Sequence, residues 1–248
     1  VFVDIINNDS TEKTLSDTSL TFTNSNWNVS QTIIINSVDD FLIDGDQNTS
    51  ITARINASSD PAFLSLPPED RQVLTIDDDL GDFTISDVSG NLKEEALGDL
   101  VTFTVSLTAI PSSDVIIDFS GNDSTEATIV NPTVTFNSTN WNIPQTINLQ
   151  VVDDFIFDEN QTSTITGSVS SSSDTSFTGA ADKSVDVITE DNEVVDIIVN
   201  VLDNLTSESG DTGSFEINLT TEPLSDVFIE LTSTNELEGV LSLSLIHI

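Results

Sequence analysis

The chain has 248 residues, with 5 basic against 43 acidic side chains for a net charge of -38, and neither cysteine nor methionine. That charge repels phosphate backbones and anionic membranes alike, which excludes nucleic acid as a partner. Without cysteine there are no disulfides and no thiolate metal sites, so the oxygen chemistry of hard cations is the metal chemistry left.

Residues 1–79 read as the later part of a repeat whose N-terminal strands are missing, because Val1 to Gln47 aligns without a gap with Val115 to Gln161, 114 residues downstream. Residues 80–192 read as one complete unit. Residues 193–248 repeat its opening and lack its C-terminal half: Leu219-Thr220-Thr221-Glu222-Pro223 answers Leu107-Thr108-Ala109-Ile110-Pro111. The tail Leu245 to Ile248 falls where Thr133 to Phe136 sits in the complete unit, and reads either as a strand or as a foreign end. The lack of methionine predicts a fragment of a longer product. No apolar run in it is long enough for direct membrane insertion.

Period-two alternation dominates the complete unit and is clearest in Val101-Thr102-Phe103-Thr104-Val105-Ser106-Leu107. Seven strands are predicted, near 82–88, 101–107, 115–119, 127–136, 146–152, 163–169 and 185–189. No stretch carries a helical stripe. The fold class expected is all-β: tandem immunoglobulin-like antiparallel β-sandwiches.

Strands in such a sandwich alternate up and down. The first, third and fifth connections and the exit from the seventh strand therefore share one end. Sorting the charges by this rule sends Glu94, Glu95, Asp99, Asp123, Glu126, Asp153, Asp154, Asp158, Glu159, Glu190 and Asp191 to that end. The opposite end receives scattered acids such as Asp114 and Asp174. The same pole of the first repeat holds Asp9, Glu12, Asp39, Asp40, Asp44, Asp46 and Asp77-Asp78-Asp79, whereas the third keeps only Glu208, Asp211, Glu236 and Glu238. Two carboxylates about 4 Å apart repel by roughly 4 kcal/mol at an effective dielectric near 20, so such a crowd calls for protons or cations. Ca²⁺ accepts six to eight oxygens in flexible geometry, which loops from different strands can supply; Mg²⁺ demands a stricter octahedron.

The residues that carry most of this pattern, Val151-Val152-Asp153-Asp154-Phe155-Ile156-Phe157-Asp158-Glu159 and the exit Thr75-Ile76-Asp77-Asp78-Asp79, together with Glu95 before Gly98-Asp99, resemble the Calx-beta domain of sodium-calcium exchangers and large bacterial surface proteins. The resemblance spans the chain at repeat level. It implies a Ca²⁺ cluster at the end facing the next domain. Carried over residue by residue, it implicates Glu95, Asp153, Asp154, Asp158, Glu190 and Asp191 in the complete unit, and Asp39, Asp40, Asp44, Asp77, Asp78 and Asp79 in the first. Asp123 and Glu126, from the third connection, are the substitute ligands. Phe41 and Phe155 stand where the family has a third consecutive acid, and Gln47 and Gln161 replace a later one. Fewer or weaker ions are therefore expected, with a dissociation constant on the order of 10⁻⁴ to 10⁻³ M.

The resulting reading is a Ca²⁺-rigidified spacer in a large exported or cell-surface protein, such as a bacterial adhesin, with neighbouring repeats as its partners. Cell-surface glycan or protein is a further partner through other parts. The alternative is a glycan- or protein-binding β-sandwich module using Asn137 to Gln145 or Ser170 to Lys183. Trp27 and Trp141, in identical Asn-Trp-Asn settings, are expected to be packing anchors rather than sugar platforms. No enzyme is expected: His247 is the single histidine and sits in the tail, so no Ser-His pair exists.

Overall fold

The computed structural model describes every residue except Leu97, Ser172 and Ile248, with His247 described by its backbone. The first segment holds β1 (Phe2–Asn7), β2 (Lys13–Leu15), β3 (Ser19–Thr21), β4 (Ile35–Ser37), β5 (Gln47–Ile55) and β6 (Glu69–Thr75), with a single 3-10 turn at Pro61–Phe63. The middle holds β7 (Phe83–Ile85), β8 (Leu92–Lys93), β9 (Leu100–Leu107), β10 (Val115–Ser120), β11 (Ala127–Ile129), β12 (Thr133–Phe136), β13 (Gln145–Val151), β14 (Gln161–Val169) and β15 (Lys183–Glu190). The last segment holds β16 (Ile197–Asp203), β17 (Ser214–Leu219), β18 (Phe228–Glu230) and β19 (Leu245–His247).

The middle segment is an immunoglobulin-like sandwich of two sheets, ordered β12-β10-β14-β15-β8 and β11-β13-β9-β7. Alternation decides which side chains face inward: along β9, Val101, Phe103, Val105 and Leu107 are buried while Thr102, Thr104 and Ser106 are not. Ile117 and Phe119 of β10 answer from the opposite sheet, and the Phe103 and Phe119 rings meet edge to face at 5.3 Å. Each fully buried Leu, Ile or Phe contributes about 1.5 to 3 kcal/mol, so the core stands on this cluster. Gly167 is required opposite Phe119, since a Cβ there would lie 2.6 Å from the ring.

Two predicted strands break where the sequence is poor in ladder donors or rich in turn formers. The stretch near 127–136 becomes β11 in one sheet and β12 in the other, crossing at Pro132, which has no N–H to give a ladder. The stretch near 82–88 shrinks to β7; after Ser89-Gly90-Asn91 the chain changes sheets and adds β8 parallel to β15. In the tail, Leu245–His247 forms β19 against β18, and Ile248 lies outside the described residues.

The first segment repeats one sheet of the middle in order β3-β1-β5-β6, and pairs β2 with β4 separately. In the last segment β16 pairs with β17, and the other pair is β18 with β19. Two parallel bridges, Leu42 to Ile110 and Ile156 to Glu222, tie successive segments together.

Candidate metal centre

The acidic residues of the middle segment meet where β13, β15 and β8 end together. Glu94, one residue past β8, is buried, and its amide donates to the Glu190 carbonyl at 3.3 Å. Asp153 follows β13, and Glu193 lies in the connection to β16. One oxygen from each of Glu94, Asp153 and Glu193 lies within 4.8 Å of the others. Since Ca²⁺–O distances are about 2.3 to 2.6 Å, one ion can reach all three.

The surroundings leave one of these oxygens without a donor. The Glu193 Oε2 atom is buried and has no hydrogen-bond partner among the described residues. Burial, together with the neighbouring Asp191 and Glu94 carboxyl groups, pushes the Glu193 carboxyl up to about 7. Burial also raises Glu94, even though the Asn192 amide donates to its Oε2 at 3.3 Å. The Asn192 side chain donates to Asp153 at 3.1 Å and so ties the two ligands to one backbone segment. Glu126, also buried, is raised by burial and by the charges of Asp158, Asp154 and Asp123. A site with raised carboxyls and an unmatched buried oxygen suits a cation better than solvent.

The other acids build the frame. Asp191 accepts from the amides of Glu193 at 2.7 Å, Glu159 at 2.8 Å and Asp158 at 3.2 Å. Burial raises Asp191, but these amides more than offset it and hold the carboxyl low. The Asp154 side chain caps the Ile156 amide at 2.7 Å. Glu159 sits at φ 65°, the conformation Gly45 adopts at the same place in the first repeat with φ 75°. The loop is thus folded by its own carboxylates, and Asp153 is the one it turns toward Glu94 and Glu193.

The first segment repeats the frame. Asp77 accepts from Gly45 at 2.6 Å and from Asp79 at 2.9 Å, and those amides hold it low. Asp40 caps Leu42 at 2.8 Å. Asp39, Asp40, Asp44, Asp77, Asp78 and Asp79 all line one cavity of about 480 Å³ together with buried Glu12. Burial, then the charges of Asp77, Asp39, Asp40 and Asp78, raise the Asp79 carboxyl, the counterpart of Glu193. Burial, followed by Asp44, Asp9 and Asp40, likewise raises Glu12, the counterpart of Glu126.

Several sequence candidates point elsewhere. The Glu95 side chain is exposed, and its neighbour Glu94 faces the cluster instead. Glu190 is taken by Asn91 at 2.7 Å and by Lys93 at 3.4 Å, which hold it low. Asp123 folds onto the hydroxyl and amide of Thr125 at 2.7 and 3.0 Å, and those bonds lower it. Asp154 and Asp158 contribute charge and loop geometry beside the three-carboxylate group. Glu193 escaped the candidate set although the 114-residue spacing maps Asp79 onto it. Glu94 could not be chosen over Glu95 without knowing which side of β8 faces in.

No family model matches the sequence, and no curated protein matches it significantly. Among solved structures, the chain is similar to the apo form of a Calx CBD1 domain, at 13% identity over 46% of this chain and 100% of that one, TM-score 0.30. It is also similar to CBD12 from CALX1.2, at 14% identity over 57% of each chain, TM-score 0.29. A beta-glycosidase from Bacteroides vulgatus matches at 13% identity over 77% of this chain and 21% of that one, TM-score 0.24. At such scores these likenesses carry no weight for function, and the chain's own carboxylates remain the guide to it.

Proposed function

We propose that the chain is a calcium-binding β-sandwich array whose ions sit at the acidic poles between successive repeats and stiffen it as a spacer. The carrying observation is the buried, donor-less Glu193 Oε2 beside Glu94 and Asp153. Glu94, Asp153 and Glu193 would hold the ion in the middle segment, with Glu126 and Asp154 adding negative charge around it. In the first segment Asp39 and Asp79 correspond to Asp153 and Glu193, and Glu12 corresponds to Glu126. Calcium would supply the positive charge that the buried Glu193 oxygen lacks.

Glu193 supports the mechanical reading because it lies in the connection to β16. An ion shared among Glu94, Asp153 and Glu193 would join both sheets of one sandwich to the segment leading into the next. At about 100 times its dissociation constant the ion would add roughly 2.7 kcal/mol to the bound arrangement. A place in an exported or cell-surface protein, such as an adhesin, fits calcium levels outside cells and belongs to the same proposal. The glycan-binding alternative finds less support, because the Trp141 ring lies 5.1 Å from that of Phe41 and is committed to packing.

Calorimetric titration of Ca²⁺ into the chelator-treated chain tests the site. The wild type should bind with a dissociation constant on the order of 10⁻⁴ to 10⁻³ M. Glu193→Gln should remove the middle-segment component, and unchanged heats in that variant would refute the assignment.

A further inference from the structure

Among the described residues Lys13, at the start of β2, is the one basic side chain that is buried, at 1% exposure. A lysine that only fills a core with its stem keeps its ammonium in water. Here the ammonium is enclosed as well. It donates to Thr49 Oγ1 of β5, so the side chain crosses from the β2-β4 pair to the sheet β3-β1-β5-β6. No carboxylate of the described residues lies within 4.0 Å of it. An enclosed ammonium with a single hydroxyl for a partner is costly unless a field of the opposite sign surrounds it.

That field comes from the first acidic pole. Glu12 precedes Lys13 in the chain, and Ser37, which pairs with Lys13 across β4, leads into Asp39-Asp40. Thr49 follows Asp44 and Asp46 into β5, so both ends of the Lys13–Thr49 link sit where strands meet acidic loops. The charge is felt there. Burial and then Asp44, Asp9 and Asp40 raise the Glu12 carboxyl, and the Lys13 ammonium pulls it the other way. Asp9, lowered first by its bond to the Thr11 hydroxyl, is lowered further by the same ammonium.

The middle pole has no such charge inside. The 114-residue spacing maps Lys13 onto Ala127 and Thr49 onto Ser163, both buried and neutral. Lys93, at the edge of that pole, is half exposed and paired with Glu190 at 3.4 Å, where water screens it. Both buried side-chain oxygens found without a partner among the described residues, Thr189 Oγ1 and Glu193 Oε2, also belong to the middle segment. One pole carries a cation in its own sequence, and the other does not.

We infer that Lys13 is a tethered counter-cation that sets the two poles apart: it steadies the first pole when empty and weakens that pole's hold on calcium, so the middle pole fills first. The calcium half of this inference rests on the reading of the poles under Proposed function. A fixed positive charge beneath the carboxylates repels an arriving divalent ion, and at close range one unit charge shifts affinity by roughly tenfold. The spacer then stiffens in two stages as calcium rises.

Two neutral variants test it. Lys13→Met keeps nearly the same length, and Lys13→Gln also keeps a polar partner for Thr49. Hydrogen exchange of the β2 and β5 amides is followed in chelator at about 0.01 M and about 0.5 M NaCl, where screening lengths are about 30 Å and a few ångströms. Both variants should exchange roughly tenfold faster than the wild type at low salt and no faster at high salt, because salt replaces the lost charge. Exchange that is equal or slower at low salt, or a change independent of salt, would mark a lysine that is merely buried and overturn the inference. Calorimetry in the Glu193→Gln background, where the first pole is the site that remains, reads the calcium half. Adding Lys13→Met should tighten binding roughly tenfold, and unchanged or weaker binding would overturn that half. A wild type that binds no calcium at all would overturn it together with the reading it rests on, while the salt-dependent exchange would still decide the counter-charge.

Discussion

Asp174 and Glu193 are both acids in partly enclosed settings, and their partners send them in opposite directions. Asp174 is buried at the pole opposite the acidic one. It accepts from the amides of Ser112 and Ser113 at 2.7 and 2.9 Å, the Ser112 hydroxyl at 2.6 Å and the Ser176 amide at 2.9 Å. Burial raises its carboxyl, but the hydroxyl and amides outweigh this and bring it to about 2. A depressed carboxyl stabilises the fold above its unfolded value, near 3.8, and that contribution fades as pH falls toward about 2. Asp174→Ala leaves several donors unmatched and should cost about 3 kcal/mol in urea unfolding at neutral pH. Its stability should also fall less steeply than that of the wild type between about pH 4 and 2. Glu193 has carboxylates where Asp174 has donors. Glu193→Gln should therefore raise the melting temperature in chelator by a few degrees, on the order of 1 kcal/mol of relieved repulsion, while abolishing the further rise that the proposed site predicts for the wild type in Ca²⁺.

At the level of elements, the Asp-Asp-Phe loops do more than carry acid. Phe41 and Phe155 stand where the resembled family has a third acid, and in both loops the backbone carbonyl of the phenylalanine holds the next segment. A position that loses a ligand gains a joint. Ile43, two residues on, packs against the middle core. Phe41→Ala should cost about 1 kcal/mol of docking between the first and middle segments, beyond the area lost. Limited proteolysis between residues 75 and 83 should accelerate in that variant, with the middle core's own melting unchanged.

The element scale also shows what could be read from sequence. Alternation alone located β9, β10, β13, β14 and β15, because each buries every second residue against a two-layer core. The two sheet crossings at Pro132 and around Gly90 were not legible, since a strand that changes sheets keeps its polarity pattern while changing partners. The acidic pole could be found by counting connections, but a topological count brings loops together without orienting side chains. Glu94 against Glu95, and Asp191 as loop brace rather than Glu193's equal, are decided by single-residue twists of the backbone. Trp141 is half-buried as expected of a packing anchor, whereas Trp27, expected to pack likewise in the same Asn-Trp-Asn setting, is exposed.

Across the whole molecule, an acidic chain with few cations of its own places its carboxylates where one sandwich hands over to the next. The connection runs through that crowd, so its conformation and the local charge are coupled. On the proposed reading, repulsion between Glu193 and the Glu94–Asp153 side would let the connection loosen without calcium, and a bound ion would let the same groups hold it. Small-angle scattering on the whole chain, at a concentration low enough to keep it monomeric, follows this handover directly as Ca²⁺ is titrated in. The proposed stiffening predicts a larger maximum dimension and a narrower distance distribution, saturating with the calorimetric titration and absent in Glu193→Gln. A scattering curve that is identical with chelator and with saturating Ca²⁺, while calcium is bound, would contradict it.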